Sequence, residues 1–426
     1  MKKFVSVIIV LILVLTLGLT ACSYDNIALY RLAVQDGYSG TYDEWIASQN
    51  QTQTEYTYEE LYAIAVQNGY DGTFAEWREA YTNNADSEIN TVEAATAKAL
   101  RSVVCIFADF WSATGSTTSS AGSGVIFSED DDYAYIVTNF HVIYEAAAQP
   151  KISSNITVYL YGTLYNGFEI EAQYVGGSMT NDIAVIKIPK NERYLNSASV
   201  PATIADSGAV FPGESAIAVG NPNAGGISVT SGIISMESED IELTAPDEMT
   251  LLNLRVFRID TPVNPGNSGG GLFNGKGELI GIVNAKYMDS ETDNIGYAIP
   301  TNIAISLAQR IVETAGQPLD KVVFGIMMQI TDSTSVYDQA TQRTYVLQEI
   351  TVVNVTNGSA ADGYLMEGDI LKSFTYNGVT RAINRLYSVT DFIFTFKQND
   401  IVTFTLMRDG VEMQIDVPMI NVVEIY

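Results

Sequence analysis

Histidine occurs once among the 426 residues, at position 141, and cysteine twice, at 22 and 105. One imidazole and two distant thiols do not assemble an ordinary zinc site, which needs four His, Cys or carboxylate ligands, so neither a metal centre nor a cofactor is expected. With Cys22 at the end of an apolar leader, Cys105 has no internal partner for a disulfide. In Ser102-Val103-Val104-Cys105-Ile106-Phe107 it reads as a buried strand residue, and the folded parts must rely on their apolar cores. Basic side chains are also scarce: 22 Lys and Arg face 50 Asp and Glu, a net charge of −28. A field of that sign repels phosphate backbones and anionic lipid, which excludes nucleic acid as a partner and favours basic or unfolded chains. Charged residues are only 17% and apolar ones 47%, which excludes a disordered polymer and allows two or three domains.

Four regions follow from the order of textures. Residues 1–22 form a leader: Lys2 and Lys3 precede an apolar run over 4–19. That run is shorter than the roughly 20 residues of a membrane span, and small residues follow it, as in an export signal. Leu19-Thr20-Ala21-Cys22 resembles the bacterial lipobox. The resemblance implies that Cys22 is diacylated as the new N-terminus and that the chain is anchored to the cell membrane on its extracytoplasmic side; an ordinary secretory signal is the alternative. Loss of Lys2 and Lys3 would take the charge from −28 to −30.

Residues 23–90 carry a repeat. Ala33-Val34-Gln35-Asp36-Gly37-Tyr38-Ser39-Gly40-Thr41-Tyr42-Asp43-Glu44-Trp45 returns 32 residues later at 65–77, with nine of thirteen positions identical. Gly37 and Gly69 suit a helix end, and Thr41/Glu44 and Thr73/Glu76 have capping-box spacing, so each unit predicts helix, turn, helix around Trp45 or Trp77. The units resemble short Gly-Thr-x-x-Glu-Trp repeats of envelope and phage proteins. A spacer and a binding module are both open readings, and residues 83–90 are a polar linker.

From residue 91 to 317 a short helical segment leads into β-type runs at 103–107, 124–127, 135–138, 156–161, 183–188, 215–219 and 279–283, closed by a helix over 301–315 that ends at Gly316 and Pro318. Short apolar or alternating runs separated by glycine turns predict a mainly β fold of barrels or sandwiches rather than βαβ units. Residues 318–426 form a smaller unit, in which alternating residues over 401–417 flank Asp409-Gly410, a preferred two-residue hairpin turn. Glu129-Asp130-Asp131-Asp132 reads as a solvated loop.

Three residues could do chemistry together. His141 ends the run Ile136-Val137-Thr138-Asn139-Phe140-His141, Asp182 stands directly ahead of Ile183-Ala184-Val185-Ile186, and Ser268 lies in Asn264-Pro265-Gly266-Asn267-Ser268-Gly269-Gly270. A serine hydroxyl is a weak nucleophile at neutral pH, so a neutral imidazole must take its proton and a carboxylate must hold that imidazole in one tautomer. The segment around Ser268 is either a plain turn or a nucleophile loop. In the second case Gly266 lets N–H groups converge on a developing oxyanion, with Gly266, Asn267 and Ser268 as the candidate donors, while Gly269 and Gly270 let substrate approach closely.

Six ordered segments carry a resemblance: 121–126 (AGSGVI), 138–142 (TNFHV), 181–185 (NDIAV), 219–222 (VGNP), 264–270 (NPGNSGG) and 296–300 (GYAIP). Together they resemble the marker segments of the HtrA/Deg family of serine proteases, from about residue 91 to the C-terminus. The resemblance implies a chymotrypsin-like pair of β-barrels, with His141 and Asp182 on the first and Ser268 on the second, and a C-terminal PDZ domain. Val323-Phe324-Gly325-Ile326 is similar to that domain's carboxylate-binding loop, with a peptide strand beside 324–328 and a helix near 389–396 as the other wall. By family position Val263, Ala285 and Tyr287 line a shallow apolar specificity pocket suited to small aliphatic residues. The expected activity is cleavage of misfolded or unfolded envelope proteins by a homotrimer, regulated by C-terminal peptides; a catalytically silent binding protein is the alternative. Two departures stand out: a polar stretch over 331–344 interrupts the PDZ-like segment, and Gly271 stands where the family often has proline or alanine.

Overall fold

The computed structural model describes residues 92–112, 114–164, 167–285, 295–315, 317, 319–339, 342–420 and 422–425, together with Thr73. The leader, Cys22 and the repeats lie outside the described residues. After helix α1 (Val92–Leu100) come six strands: β1 (Val103–Trp111), β2 (Thr117–Glu129), β3 (Tyr133–Thr138), β4 (Asn155–Tyr159), β5 (Ile170–Ser178) and β6 (Ile183–Pro189). They close into an antiparallel barrel in the order β1-β2-β3-β6-β5-β4. A short helix α2 (Glu192–Leu195) leads to β7 (Ser215–Gly220), β8 (Ser228–Thr244), β9 (Leu251–Ile259), β10 (Gly271–Phe273), β11 (Leu279–Asn284) and β12 (Gly296–Pro300). These close a second barrel, β10-β11-β12-β9-β8-β7, and helix α3 (Thr301–Glu313) follows.

Successive side chains of a strand point to opposite faces, yet many of these strands are apolar throughout. The packing gives the reason. Val104, Ile106, Ile126, Ile136, Ala184 and Ile186 fill the first barrel, whereas their chain neighbours Val103, Val125, Val137, Ile183 and Val185 share a second core with Ile217, Val219, Phe273 and Ile282 of the other barrel. The apolar face of α3, formed by Ala304, Ile305, Leu307, Ala308 and Ile311, completes that shared core. Ala216, Phe257, Leu272, Ile280 and Ala298 belong to a third cluster, within the second barrel. Strands buried on both faces need no polar alternation. Cys105 of β1 is buried as expected, and burial pushes its thiol up to about 12.

The C-terminal unit has its own core. β14 (Ile326–Asp338), β15 (Arg343–Val355), β16 (Ile370–Tyr376), β18 (Ile401–Arg408) and β19 (Val411–Pro418) form one sheet in that order, with β17 (Val379–Ala382) beside β16. β13 (Leu319–Val322) pairs with β20 (Val422–Ile425). Phe324, Phe374, Phe396 and Phe404 interlock, and Phe324 meets Phe396 and Phe404 edge to face with centroids 5.5 and 5.7 Å apart. Asp409 and Gly410 take left-handed dihedrals, with φ of 51° and 77°, and join β18 to β19 as the spacing predicts.

One departure takes shape in this unit and one expectation is corrected. The polar stretch 331–344 lies in a long hairpin: the pairing of β14 with β15 continues through it, from Ile326 opposite Val355 to Asp338 opposite Arg343. Thr331 stands unpaired at a shift of register between Ile330 and Asp332, and its hydroxyl meets that of Thr351 at 2.7 Å. The region near 389–396 is not an α-helix but 3₁₀ turns at Leu386–Ser388 and Thr390–Phe392. Asp391 is drawn there to Arg255 of β9, 2.9 Å away, and a short turn suits that reach better than a continuous helix.

Candidate active site

Strand pairing brings the first two candidate residues together. Thr138 at the end of β3 lies opposite Ala184 near the start of β6, so His141, just beyond β3, faces Asp182, just ahead of β6. His141 sits in a 3₁₀ turn (Phe140–Val142), and Asp182 closes another (Met179–Asn181) in a left-handed conformation, φ 49°. That conformation is uncommon but accessible to aspartate. It directs the whole carboxylate at His141: Oδ1 accepts the backbone N–H of His141 at 3.0 Å, and Oδ2 lies 2.7 Å from the ring Nδ1. Asn284 at the end of β11 donates its amide to the same Oδ2 at 2.8 Å. The carboxylate is buried and its hydrogen bonds come from fixed donors, so it holds the imidazole with Nε2 outward. An imidazole held that way can accept a proton at Nε2 and carry the resulting charge beside the carboxylate.

The segment around Ser268 joins β9 to β10 on the second barrel, and most of its carbonyls are occupied. Pro265 C=O accepts the N–H of Asn223 at 2.9 Å, Asn267 C=O that of Gly270 at 2.9 Å, and Ser268 C=O that of Ser123 at 2.8 Å. In a trans peptide the N–H points opposite to the C=O. The Pro265 contact therefore turns the Gly266 N–H away from Asn223, and the Asn267 contact turns the Ser268 N–H away from Gly270. Gly266 has φ 99°, and a Cβ there would strike the carbonyl of Asn221, so the turn requires glycine.

His141, Gly266, Ser268 and Ala285 line one cavity of about 300 Å³, together with Ser120, Ala121, Val142 and Pro265. Among the described residues, the Ser268 hydroxyl has one hydrogen bond, from the Ala285 N–H at 3.2 Å. Its oxygen is thus parked on β11's end rather than on His141 Nε2. Rotation about one side-chain bond redirects it, and such bonds commonly tighten only when substrate is present.

The structure also sorts the remaining expected residues. Asn267 donates its N–H to Asn264 C=O at 2.9 Å, which removes it from the set of free donors. Gly269 and Gly270 do not serve substrate approach: a Cβ on Gly269 would collide with Ser123 O and Thr138 Oγ1, and one on Gly270 with Val219 O. They allow the loop to pack against both barrels. Of the specificity-pocket residues, Ala285 lines the cavity, Val263 does not and instead packs in the second barrel's core, and Tyr287 lies outside the described residues. Val263 faces Gly296, whose missing side chain leaves room for it. In the C-terminal unit, Phe324 C=O accepts Ala361 N–H at 3.0 Å and Gly325 C=O accepts Thr356 N–H at 2.7 Å. Phe324 is buried, and Val323, Gly325 and Ile326 are half-buried.

Two asparagines escaped the sequence reading as site residues. Asn284 follows the apolar run 279–283, yet its amide is committed to Asp182. Asn139 links the barrels: Nδ2 donates to Asp182 C=O at 2.9 Å and Oδ1 accepts Gly269 N–H at 2.7 Å. Its place two residues before the only histidine was the available signal. No cluster of three or more metal-ligating side chains occurs among the described residues.

Comparison with known proteins places the chain among serine proteases. A trypsin-like peptidase domain model matches residues 122–282. The chain is 31% identical over 318 residues to a serine protease Do-like HtrA of Lactococcus lactis, spanning 72% of each protein. It is likewise 31% identical over 307 residues to a serine protease Do-like HtrA of Bacillus subtilis, covering 70% of this chain and 63% of that protein. Among solved structures, the HtrA-type protease AlgW with tripeptide aligns at 25% identity and a TM-score of 0.48, over 78% of this chain and 97% of the other. With its length, its two closed barrels and its relatives taken together, the chain belongs to the HtrA family of serine proteases and is a serine endopeptidase.

Proposed function

We propose that Ser268 is the nucleophile, His141 the general base and then acid, Asp182 the residue that orients His141, and the Gly266 and Ser268 N–H groups the oxyanion donors. In the first step Ser268 Oγ bonds to the scissile carbonyl carbon as its proton passes to His141 Nε2. The C–N bond then breaks, with that proton delivered to the leaving amine, and water completes the cycle by the same route. The observation that carries the reading is the 2.7 Å contact of His141 Nδ1 with Asp182 Oδ2 beside a cavity that Ser268 and Gly266 also line. Oriented donors of this kind stabilise the oxyanion by roughly 2.7 to 4 kcal/mol each.

The substrates in this reading are unfolded or misfolded envelope proteins. The C-terminal unit acts as a PDZ domain: the occupied carbonyls of Phe324 and Gly325 turn the Gly325 and Ile326 N–H groups the other way, where a peptide carboxylate can meet them, and β14 offers an open sheet edge. Anchoring through Cys22 rests on Leu19-Thr20-Ala21-Cys22, and the homotrimer rests on family resemblance. The test is casein cleavage by wild type and Ser268→Ala, with and without hydrophobic C-terminal peptides. Cleavage by wild type alone is expected; equal cleavage by the variant overturns the assignment.

A further inference from the structure

The residue that joins the two halves of the site most closely is Ser123 of β2, which is fully buried and belongs to the first barrel. Its backbone N–H donates to Ser268 C=O at 2.8 Å. Its hydroxyl donates to Gly266 C=O at 2.7 Å and accepts the Asn221 N–H, also at 2.7 Å. Its own carbonyl accepts the Thr138 hydroxyl at 2.7 Å, which ties it to β3 and so to the strand that ends at His141. One serine thus touches the nucleophile segment on both sides of Asn267, the 221–226 loop and the strand that leads to the imidazole.

We infer that Ser123 is a positioning residue that preorganises the oxyanion donors of the second barrel from the first; this rests on the roles given above to Gly266 and Ser268. The Gly266 N–H belongs to the Pro265–Gly266 peptide, which is held at its C=O by the Asn223 N–H and turns about the torsions on either side. Glycine leaves those torsions soft, and φ 99° is a region glycine enters without cost but is not held in. The next peptide, Gly266–Asn267, is fixed by what Gly266 C=O binds, and that partner is the Ser123 hydroxyl. Asn223, the donor to Pro265 C=O, sits in the loop whose Asn221 N–H the same hydroxyl receives. Removing the hydroxyl therefore releases the Gly266–Asn267 peptide directly and takes the acceptor from the Asn221 N–H in the loop that holds Pro265 C=O, while the backbone bond to Ser268 stays. The Gly266 N–H is then free to roll away from the oxyanion, and the donor is lost at the moment charge develops rather than when substrate binds.

The test compares wild type, Ser123→Ala and Ser123→Cys with a fluorogenic peptide, a peptidyl trifluoromethyl ketone and a fluorophosphonate probe. The ketone forms a hemiketal oxyanion on Ser268 and needs the same donors as the transition state. For Ser123→Ala, kcat is expected to fall ~10- to 100-fold with KM within about twofold, a loss smaller than that for deleting a donor outright. Affinity for the ketone should fall by the same factor, and Ser123→Cys, which keeps the volume and a weak donor, should lie between. A merely structural role would lower thermal stability and raise KM without a matching loss of ketone affinity, and that result overturns the inference. Should Ser123→Ala fail to fold, Ser123→Cys decides: an unchanged kcat in a folded cysteine variant also overturns it. If wild type reacts with neither ketone nor probe, the underlying assignment of Ser268 has failed instead.

Discussion

Asp182 gains its leverage from being over-held. Its left-handed backbone, the two contacts to His141 and the Asn284 amide leave the carboxylate one orientation, so the tautomer of the imidazole is fixed before substrate arrives. Asn284→Ala should lower kcat about 10- to 100-fold with KM little changed, since a hydrogen bond to a charged group contributes about 1.5–3 kcal/mol. Steady-state kinetics on a fluorogenic peptide measure this, and a variant indistinguishable from wild type would remove Asn284 from the site. His141, Asp182 and Ser268 were legible as residue types because serine hydrolysis needs those groups and the chain has a single imidazole. Asn284 and Ser123 were not legible in that role, because an amide or hydroxyl gains its meaning from a partner that is 102 residues away for Asn284 and 143 for Ser123.

Among the elements, the departures lie where distant contacts shape the chain. The polar stretch at 331–344 stands out from the family pattern, and strand pairing extends β14 and β15 through it. The family resemblance implies a helix near 389–396, but the chain forms 3₁₀ turns there, with Asp391 against Arg255 of β9 and Arg385 reaching Glu237 of β8 at 2.6 Å. Burial pushes the Asp391 carboxyl up to about 6, against the opposing attraction of Arg255 and with further upward pressure from Asp206 and Asp240. The ordinary value is 3.8, so between that and about 6 the folded chain holds a proton that the unfolded chain lacks. Asp391 therefore contributes a stability that is complete at acid pH and is lost as pH rises through this window. Urea denaturation of wild type and Asp391→Asn across the window checks the sign: the stability difference, wild type minus variant, should decline with rising pH and then level off. A difference that grows with pH would show the opposite shift.

For the whole molecule, two properties dominate. Strands buried on both faces bind the barrels into one body with a cleft, which is why the apolar runs of the sequence are continuous and why a mainly β fold could be read from them. The net charge of −28 gives the molecule a negative field. Peptides flanked by lysine should therefore show a higher kcat/KM than the same peptides flanked by glutamate at low ionic strength, with the gap closing as salt rises to about 1 M, where the screening length falls to about 3 Å. A preference independent of salt would assign it to local contacts instead. The central claim is that Ser268 is activated by His141, and it is tested most directly by reacting the full chain with a fluorophosphonate and locating the adduct by mass spectrometry. The account predicts a single phosphonylated residue, Ser268, with labelling abolished in Ser268→Ala and reduced at least a thousandfold in His141→Ala. An adduct on another residue, or full labelling of Ser268 without His141, would contradict it.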